Sequence, residues 1–340
     1  MDFSKPENAR AINRLKVLSA LKAKPSSRAE LSRRLKINKV TISEIADSLI
    51  KEGLIKEGEK DTTTSGRPST VLSIYKEKGR VFSVEIQEKR IIISASNLLG
   101  QIVRLMQIPR NENYTDDIIA TIEKLSSESV VNYGAAIITK DKDAIETLSL
   151  PFPILFIPSA IAEAKAEIER SPDVLQKSLF ISWGDDIEAV YYDKEMLYLP
   201  HFGHTRVKNE GVCKCGAIGC LNAISSLDSM KERSGFELRH LLASTPKDAL
   251  SALSFAIIEA IGILDARNVM ITGPFSAISD SCYAYIQERV SEKLAKDDMR
   301  IIFKSQAGDK GAAEGGSIIA LERFFYKTEL LEKLKIIQTY

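Results

Sequence analysis

Three of the four cysteines in this 340-residue chain, Cys213, Cys215 and Cys220, fall within eight residues, and His204 stands nine residues before the first. Thiolate sulfur and imidazole nitrogen in such a set hold tetrahedral zinc. Gly203, Gly211, Gly216 and Gly219 are interspersed with them, and glycine lets a backbone turn tightly around an ion. Four protein ligands fill a tetrahedral shell and leave no position for a catalytic water, so the expected role is structural, with one zinc per chain. The other reading of close cysteines is a redox thiol pair, which needs neither His204 nor a third thiolate. Cys282 stands apart and reads as a small buried apolar residue.

A second set of residues points to a polyanion. Residues 1–75 hold 15 Lys/Arg against 9 Asp/Glu, a balance of +6 on a chain whose overall charge is +1. A basic first quarter on an acidic body suggests that this part meets nucleic acid. Within it, Asn38, Lys39, Thr41, Ser43 and Glu44 open a helix-patterned segment and carry short polar or charged groups that reach bases or phosphates. Arg67, in Gly66-Arg67-Pro68, sits on a slim turn suited to a narrow, A·T-rich minor groove.

The elements that must position these groups are legible in the apolar spacing. Ala11, Ile12, Leu15, Val17, Leu18 and Leu21 predict a helix over 8–23, ended by Pro25. Ser26 or Ser27 caps a second helix over 28–35, with Glu30 completing a capping box. After the turn Lys36-Ile37-Asn38, a third helix over 39–52 has Val40, Ile42, Ile45, Ala46, Leu49 and Ile50 as its apolar side and stops at Gly53. Two short helices joined by a tight turn form a helix-turn-helix, whose second helix enters the major groove. Strands from Leu54 and over 70–74, with a polar tip between them, add a hairpin wing. An ordinary three-helix protein-binding domain is the alternative reading of the helices alone.

From residue 79 the pattern becomes strands and helices in a mixed-sheet α/β body. Strands are expected at 81–86, 90–96, 100–108, 135–138, 154–157, 179–183, 187–192, 269–272 and 300–304. Helices are expected at 115–132, 159–170, 245–264, 279–295 and 311–326. No apolar run reaches membrane-spanning length, and the N-terminus has no signal-peptide core, so a cytoplasmic protein without membrane contact is expected.

Taken together, the chain resembles the ROK family of repressors, open reading frames and sugar kinases over nearly its whole length. Gly203-His204 followed by Cys213-Lys-Cys215-Gly-Ala-Ile-Gly-Cys220 matches the family's zinc motif. The winged helix ending in Gly66-Arg67-Pro68 is similar to its repressor branch, including xylose and N-acetylglucosamine repressors. Gly308 to Gly316 resembles its C-terminal small-residue helix. The resemblance implies an N-terminal winged helix-turn-helix (1–75) on a two-lobed, actin-like (ribonuclease H-like) sugar-kinase body (79–340). Lobe 1 would span about 79–155 with the C-terminal helix, about 311–340. Lobe 2 would span about 156–310 and include the zinc loop 201–220. It also implies a homodimer or tetramer that binds or releases double-stranded DNA in response to a sugar or a partner protein.

Departures from the family's pattern separate regulator from kinase. Where family kinases have an Asp-x-Gly-Gly-Thr phosphate loop, this chain has Glu85-Ile86-Gln87-Glu88-Lys89. Both glycines that permit close backbone approach to phosphate are missing. The kinases' general-base Asn-Asp aligns with Pro158 and Ser159, and serine is no base near neutral pH. The Gly-Thr-Gly turn aligns with Trp183-Gly184-Asp185-Asp186, whose carboxylates repel a nucleotide. The sugar-binding Glu-x-Gly-His becomes His201-Phe202-Gly203-His204, and the acidic residue after the last cysteine becomes Asn222. A site built on paired acceptors fails when they are removed, so a common hexose should bind poorly.

The expectation is therefore a non-enzymatic transcriptional regulator, with no catalytic residues and probing an inverted-repeat operator with A·T-rich flanks. Carbohydrate-related genes are the expected targets. His201 and Ser159 are the candidate effector contacts; His201 reads equally as a surface or core-edge histidine. A sugar kinase with a fused DNA-binding domain, and a regulator answering only to a partner protein, are the alternatives.

Overall fold

The computed structural model describes residues 6–61, 69–112, 114–126, 130–140, 146–172, 175–294 and 301–327. The chain divides into two compact units, one of Met1–Ile137, Asp141–Phe156 and Ser317–Tyr340, the other of Ile138–Lys140 and Ile157–Gly316. Among the described residues no helix is long and apolar enough to cross a membrane.

The first unit begins with helices α1 (Pro6–Ala23), α2 (Arg28–Leu35) and α3 (Lys39–Lys51), and strands β1 (Ser26–Ser27), β2 (Ile55–Asp61) and β3 (Ser69–Ile74). The strands form an antiparallel sheet in the order β1-β3-β2. Ser27 and Glu30 form the expected capping box: the Ser27 backbone N–H donates to Glu30 at 2.7 Å, and the Glu30 N–H donates to the Ser27 hydroxyl at 3.3 Å. Lys36 closes α2 in the left-handed region at φ 54°, which sets the tight turn into α3. Val17, Leu18, Leu21, Leu31, Ile42, Ile45, Ala46, Leu49 and Leu72 are buried beneath these elements. Arg28 ties them together through ion pairs of 2.8 Å to Asp47 on α3 and to Glu57 on β2.

Next come β4 (Gly79–Ile86), β5 (Arg90–Ser96), β6 (Ile102–Pro109), α4 (Tyr114–Leu125), β7 (Val131–Ile138) and β8 (Ile154–Ile157), with the strands ordered β6-β5-β4-β7-β8. The helix expected over 115–132 stops at Leu125. Ser126 turns its hydroxyl back onto the Ile122 carbonyl (2.8 Å) and accepts from Asn132 (3.0 Å), and Val131 starts the next strand. Ile118, Ile122 and Leu125 pack α4 onto Phe82, Val84, Ile91 and Ile93. Residues 317–326 also belong to this unit: the Ser96 hydroxyl donates to Ser317 at 2.9 Å, and the Tyr326 hydroxyl donates to the Leu98 carbonyl at 2.7 Å.

The second unit holds α5 (Ser159–Arg170), β9 (Ser178–Trp183), β10 (Ile187–Asp193), β11 (Glu195–Leu199), α6 (Leu221–Ser225), α7 (Leu227–Ser234), α8 (Leu238–Ala243), α9 (Lys247–Leu264), β12 (Asn268–Thr272), α10 (Asp280–Ser291), β13 (Ile301–Lys304) and, up to Gly316, the start of α11 (Gly311–Ala320). Its sheet runs β11-β10-β9-β12-β13, the same order by position as the first unit's five-stranded sheet. In both, the first three strands pair antiparallel. In the second, β12 pairs parallel with both β9 and β13. Two sheets built to one plan are the mixed α/β duplication that the sequence pattern implies.

Helices cover both faces of that second sheet. Leu179, Ile181 and Trp183 pack with α6, α9 and α10 residues including Ile224, Leu253, Ile257 and Ile286. Phe180, Val190 and Met270 meet Ala160, Ala164 and Ile168 of α5 on the other side. Gly315 on α11 is where two backbones meet: a Cβ there would lie 1.7 Å from the Ala162 carbonyl oxygen of α5. Past Ala320 the helix widens to a π-helical turn over Leu321–Tyr326.

Candidate metal centre and nucleic-acid interface

The loop between β11 and α6 gathers the ligand set. Backbone hydrogen bonds lace it shut: Val207 N–H to the Gly219 carbonyl, Gly219 N–H to the Gly211 carbonyl and Cys213 N–H to the Ala217 carbonyl, each 2.8 Å. Gly211, Gly216 and Gly219 all have φ near +80°, at 84°, 86° and 79°. Gly219 is crowded by backbone, since a Cβ there would fall 1.7 Å from the Lys208 carbonyl oxygen, whereas at Gly211 it would meet the end of the Ile224 side chain at 2.9 Å.

These turns bring the ligand atoms of His204, Cys213, Cys215 and Cys220 within 4.8 Å of one another. Cys213 Sγ lies 3.6 Å from His204 Nδ1, and Cys215 Sγ lies 3.8 Å from Cys220 Sγ. A tetrahedral zinc with ordinary bond lengths has edges of about 3.6 Å between nitrogen and sulfur and about 3.8 Å between two sulfurs. The set is therefore compatible with one zinc ion, with Nδ1 as the histidine ligand. The donors are not alike electrostatically. The Ala217 backbone N–H, then Cys213, draw the Cys215 thiol below its usual range, whereas burial, then hydrogen bonding shared with Cys215, pushes Cys220 up to about 12. A buried thiol of that kind ionises near neutral pH only when a cation offsets the charge.

The proposed effector residues flank different elements. His201 is exposed, and its ring centroid lies 5.9 Å from that of His204. Ser159 is the half-buried first residue of α5. Neither lines the cavity bounded by Ile119, Ile122, Leu150 and Phe152 or the one bounded by Leu238, Leu242 and Ala277.

Three segments that depart from the kinase pattern are each internally tied. Gln87 N–H donates to the Arg90 carbonyl at 2.9 Å, and the Gln87 side chain spans from Glu85 (2.8 Å) to Arg90 (2.6 Å), so the β4–β5 connection is a tight hairpin turn. Trp183 is buried, stacks on Phe275 at 4.5 Å and donates to the Ser225 carbonyl at 2.6 Å. Lys140 pairs with Glu188 at 2.9 Å and Asp186 at 3.4 Å, and Tyr198 donates to Glu188 at 2.7 Å. Asn222 accepts from the Ile187 N–H at 2.9 Å and donates to Asp186 at 3.3 Å. The sequence reading missed this polar cluster, although Asn222, two residues after Cys220, was its visible signal.

On α3, Asn38 is the N-cap and accepts from the Thr41 N–H at 2.7 Å. Lys39 and Glu44 are exposed, and Thr41 and Ser43 are half-buried. Val40, expected on the apolar side, is 69% exposed. The buried stripe is Ile42, Ile45, Ala46 and Leu49, and Val40 falls off it because the 3.6-residue period of the helix puts it on the opposite face. Gly66, Arg67 and Pro68 lie outside the described residues.

No protein-family model and no curated protein matches the sequence. Among solved structures, a ROK family transcriptional regulator described as a homologue of the E. coli MLC protein superposes with a TM-score of 0.69 at 19% identity, over 95% of this chain and 99% of that one. The ROK hexokinase from Thermus thermophilus gives 0.58 at 14% identity, over 71% of this chain and 97% of that one. A ROK glucokinase from Streptomyces griseus, in complex with glucose and AMPPNP, gives 0.54 at 15% identity, over 71% of this chain and 99% of that one. The two-unit α/β architecture of this chain is thus the fold of the ROK proteins.

Proposed function

We propose that the chain is a ROK-family, sequence-specific DNA-binding transcriptional regulator, acting as a repressor of carbohydrate-related genes, whose kinase-type body has lost catalysis. The observation that carries this reading is the extent of likeness. The ROK regulator is matched over 95% of the chain, which takes in most of the first 75 residues, whereas both kinases are matched over 71%. The first 75 residues are the basic ones, and their three helices and three-stranded sheet are read as a winged helix-turn-helix. Helix α3 would enter the major groove with Asn38, Lys39, Thr41, Ser43 and Glu44, and Arg67 would reach the minor groove.

Loss of catalysis is supported by the closed turn at Gln87–Arg90, by Ser159 where a base is needed, and by Asp185 and Asp186 where a nucleotide's charge would sit. His204, Cys213, Cys215 and Cys220 would hold one structural zinc, which would fix the loop leading into α6. The body would supply a homodimer or a tetramer, so that two α3 helices meet an inverted repeat. His201 and Ser159 would face an effector other than a common hexose.

The test is selection of genomic DNA fragments by the purified full chain at near-physiological salt. A shared inverted repeat among retained fragments is the expected result. Retention of all sequences alike, abolished by added salt, would overturn the reading.

A further inference from the structure

The exposed face of α3 carries one apolar side chain, and the DNA-binding reading gives it a task. Val40, Ser43, Glu44 and Asp47 stand at i, i+3, i+4 and i+7 and so form one stripe. It lies away from the buried Ile42, Ile45, Ala46 and Leu49. Asp47, at the far end, is held by Arg28 at 2.8 Å. The near end is left with Lys39, Val40, Ser43 and Glu44 on the first turns of a helix in the basic quarter of the chain. Val40 is 69% exposed and is not among the buried residues beneath α3.

A DNA major groove presents hydrogen-bonding edges and one apolar feature, the 5-methyl group of thymine. Lys39, Ser43 and Glu44 suit the polar edges and the phosphates, and only Val40 suits the methyl. Its β-branched side chain is nearly fixed in one rotamer on a helix, so it gives up little freedom on contact. A rigid apolar knob next to a lysine matches a methyl group beside a phosphate backbone in both shape and charge.

We propose that Val40 reads the 5-methyl group of one thymine in each half-site, and so sets sequence preference at that base pair. The proposal rests on the DNA-binding reading. Its test uses the full chain and an operator obtained by fragment selection. Each thymine is replaced singly by deoxyuridine, which removes the methyl and leaves Watson–Crick pairing and every polar edge intact. One position per half-site should then lose about fourfold in affinity, the worth of one buried methyl group. Substitution in both half-sites together should lose roughly the square of that. Val40→Ala should erase the thymine–deoxyuridine difference at that position alone, and Val40→Ile should keep it. Because Val40 is outside the core, the thermal midpoint of Val40→Ala serves as the control for folding.

A flat deoxyuridine scan on an operator that is still bound specifically overturns the Val40 assignment and leaves the regulator reading intact. An unchanged discrimination in Val40→Ala does the same. Failure to find any specifically bound sequence overturns both.

Discussion

Replacing Gly219 with alanine would place a methyl group 1.7 Å from the Lys208 carbonyl oxygen, at a residue with φ of 79°. The left-handed backbone alone costs an L-residue about 1–2 kcal/mol. Relieving the overlap means separating Gly219 from the segment at 207–208, where its carbonyl accepts from Val207 at 2.8 Å and from Lys208 at 3.3 Å. Losing those two hydrogen bonds adds roughly 2 kcal/mol. The sum of about 3–4 kcal/mol corresponds to zinc affinity lower by on the order of 10²–10³. Gly216→Ala is the matched comparison, since it shares the positive φ of 86° but has no atom within 4 Å of its Cβ. It should lose only about 5- to 30-fold. Zinc affinity is read by titrating the purified protein against a competing chelator, with metal content measured in parallel. Equal losses in the two variants, or full zinc retention by Gly219→Ala, would refute the idea that close approach at Gly219 shapes the ligand set.

Other expectations follow from single contacts. Trp183→Phe removes a buried donor and orphans the Ser225 carbonyl, so the second unit should lose about 1–3 kcal/mol of stability in denaturant titrations. The Glu30 carboxylate is held below its usual range, first by the Ser27 backbone N–H and then by the Ser27 hydroxyl. A depressed carboxylate contributes stability that is present above its unfolded value, near about 4.3, and is lost as the pH falls through the folded value. The pH–stability curve should therefore dip at the acid end in the native chain and be flatter there in Glu30→Gln; identical curves would contradict the capping role. Arg67→Ala should weaken binding chiefly at A·T-rich sites, and equal weakening on every sequence would count against minor-groove reading.

What the sequence disclosed and what it withheld have physical reasons. The Ser27–Glu30 capping box, the Asn38 cap and the Lys36 turn were readable because they depend on neighbours three residues away. The metal loop was readable because thiol and imidazole donors at short spacing have few other uses. Helix α4 was overextended because Val130 and Val131 continue its apolar spacing, whereas the structure ends it at Leu125, beside Ser126 whose hydroxyl folds back onto Ile122. Strand β11 was hidden, since Glu195-Met196-Leu197 has helix-forming residues, and the turn at Lys194 (φ 67°) needs a conformation that lysine seldom adopts. The short helices α6, α7 and α8 were also hidden. They have too few turns to show a period, and α7 is closed by Gly235 in the left-handed region. Val40 was placed inward because valine is apolar, although at 3.6 residues per turn it stands opposite the stripe of Ile42, Ile45, Ala46 and Leu49. The Lys140–Asp186–Glu188–Tyr198 cluster joins segments up to about sixty residues apart, beyond the reach of local patterning.

The measurement that tests the central claim most directly is the ratio of the full chain's affinities for a selected operator and for a scrambled duplex of equal length, at near-physiological salt. A sequence-specific regulator should favour the operator by at least about 10³-fold. A ratio near one, with both affinities falling steeply and alike as salt rises, would contradict it and leave the basic N-terminal quarter as a non-specific polyanion contact.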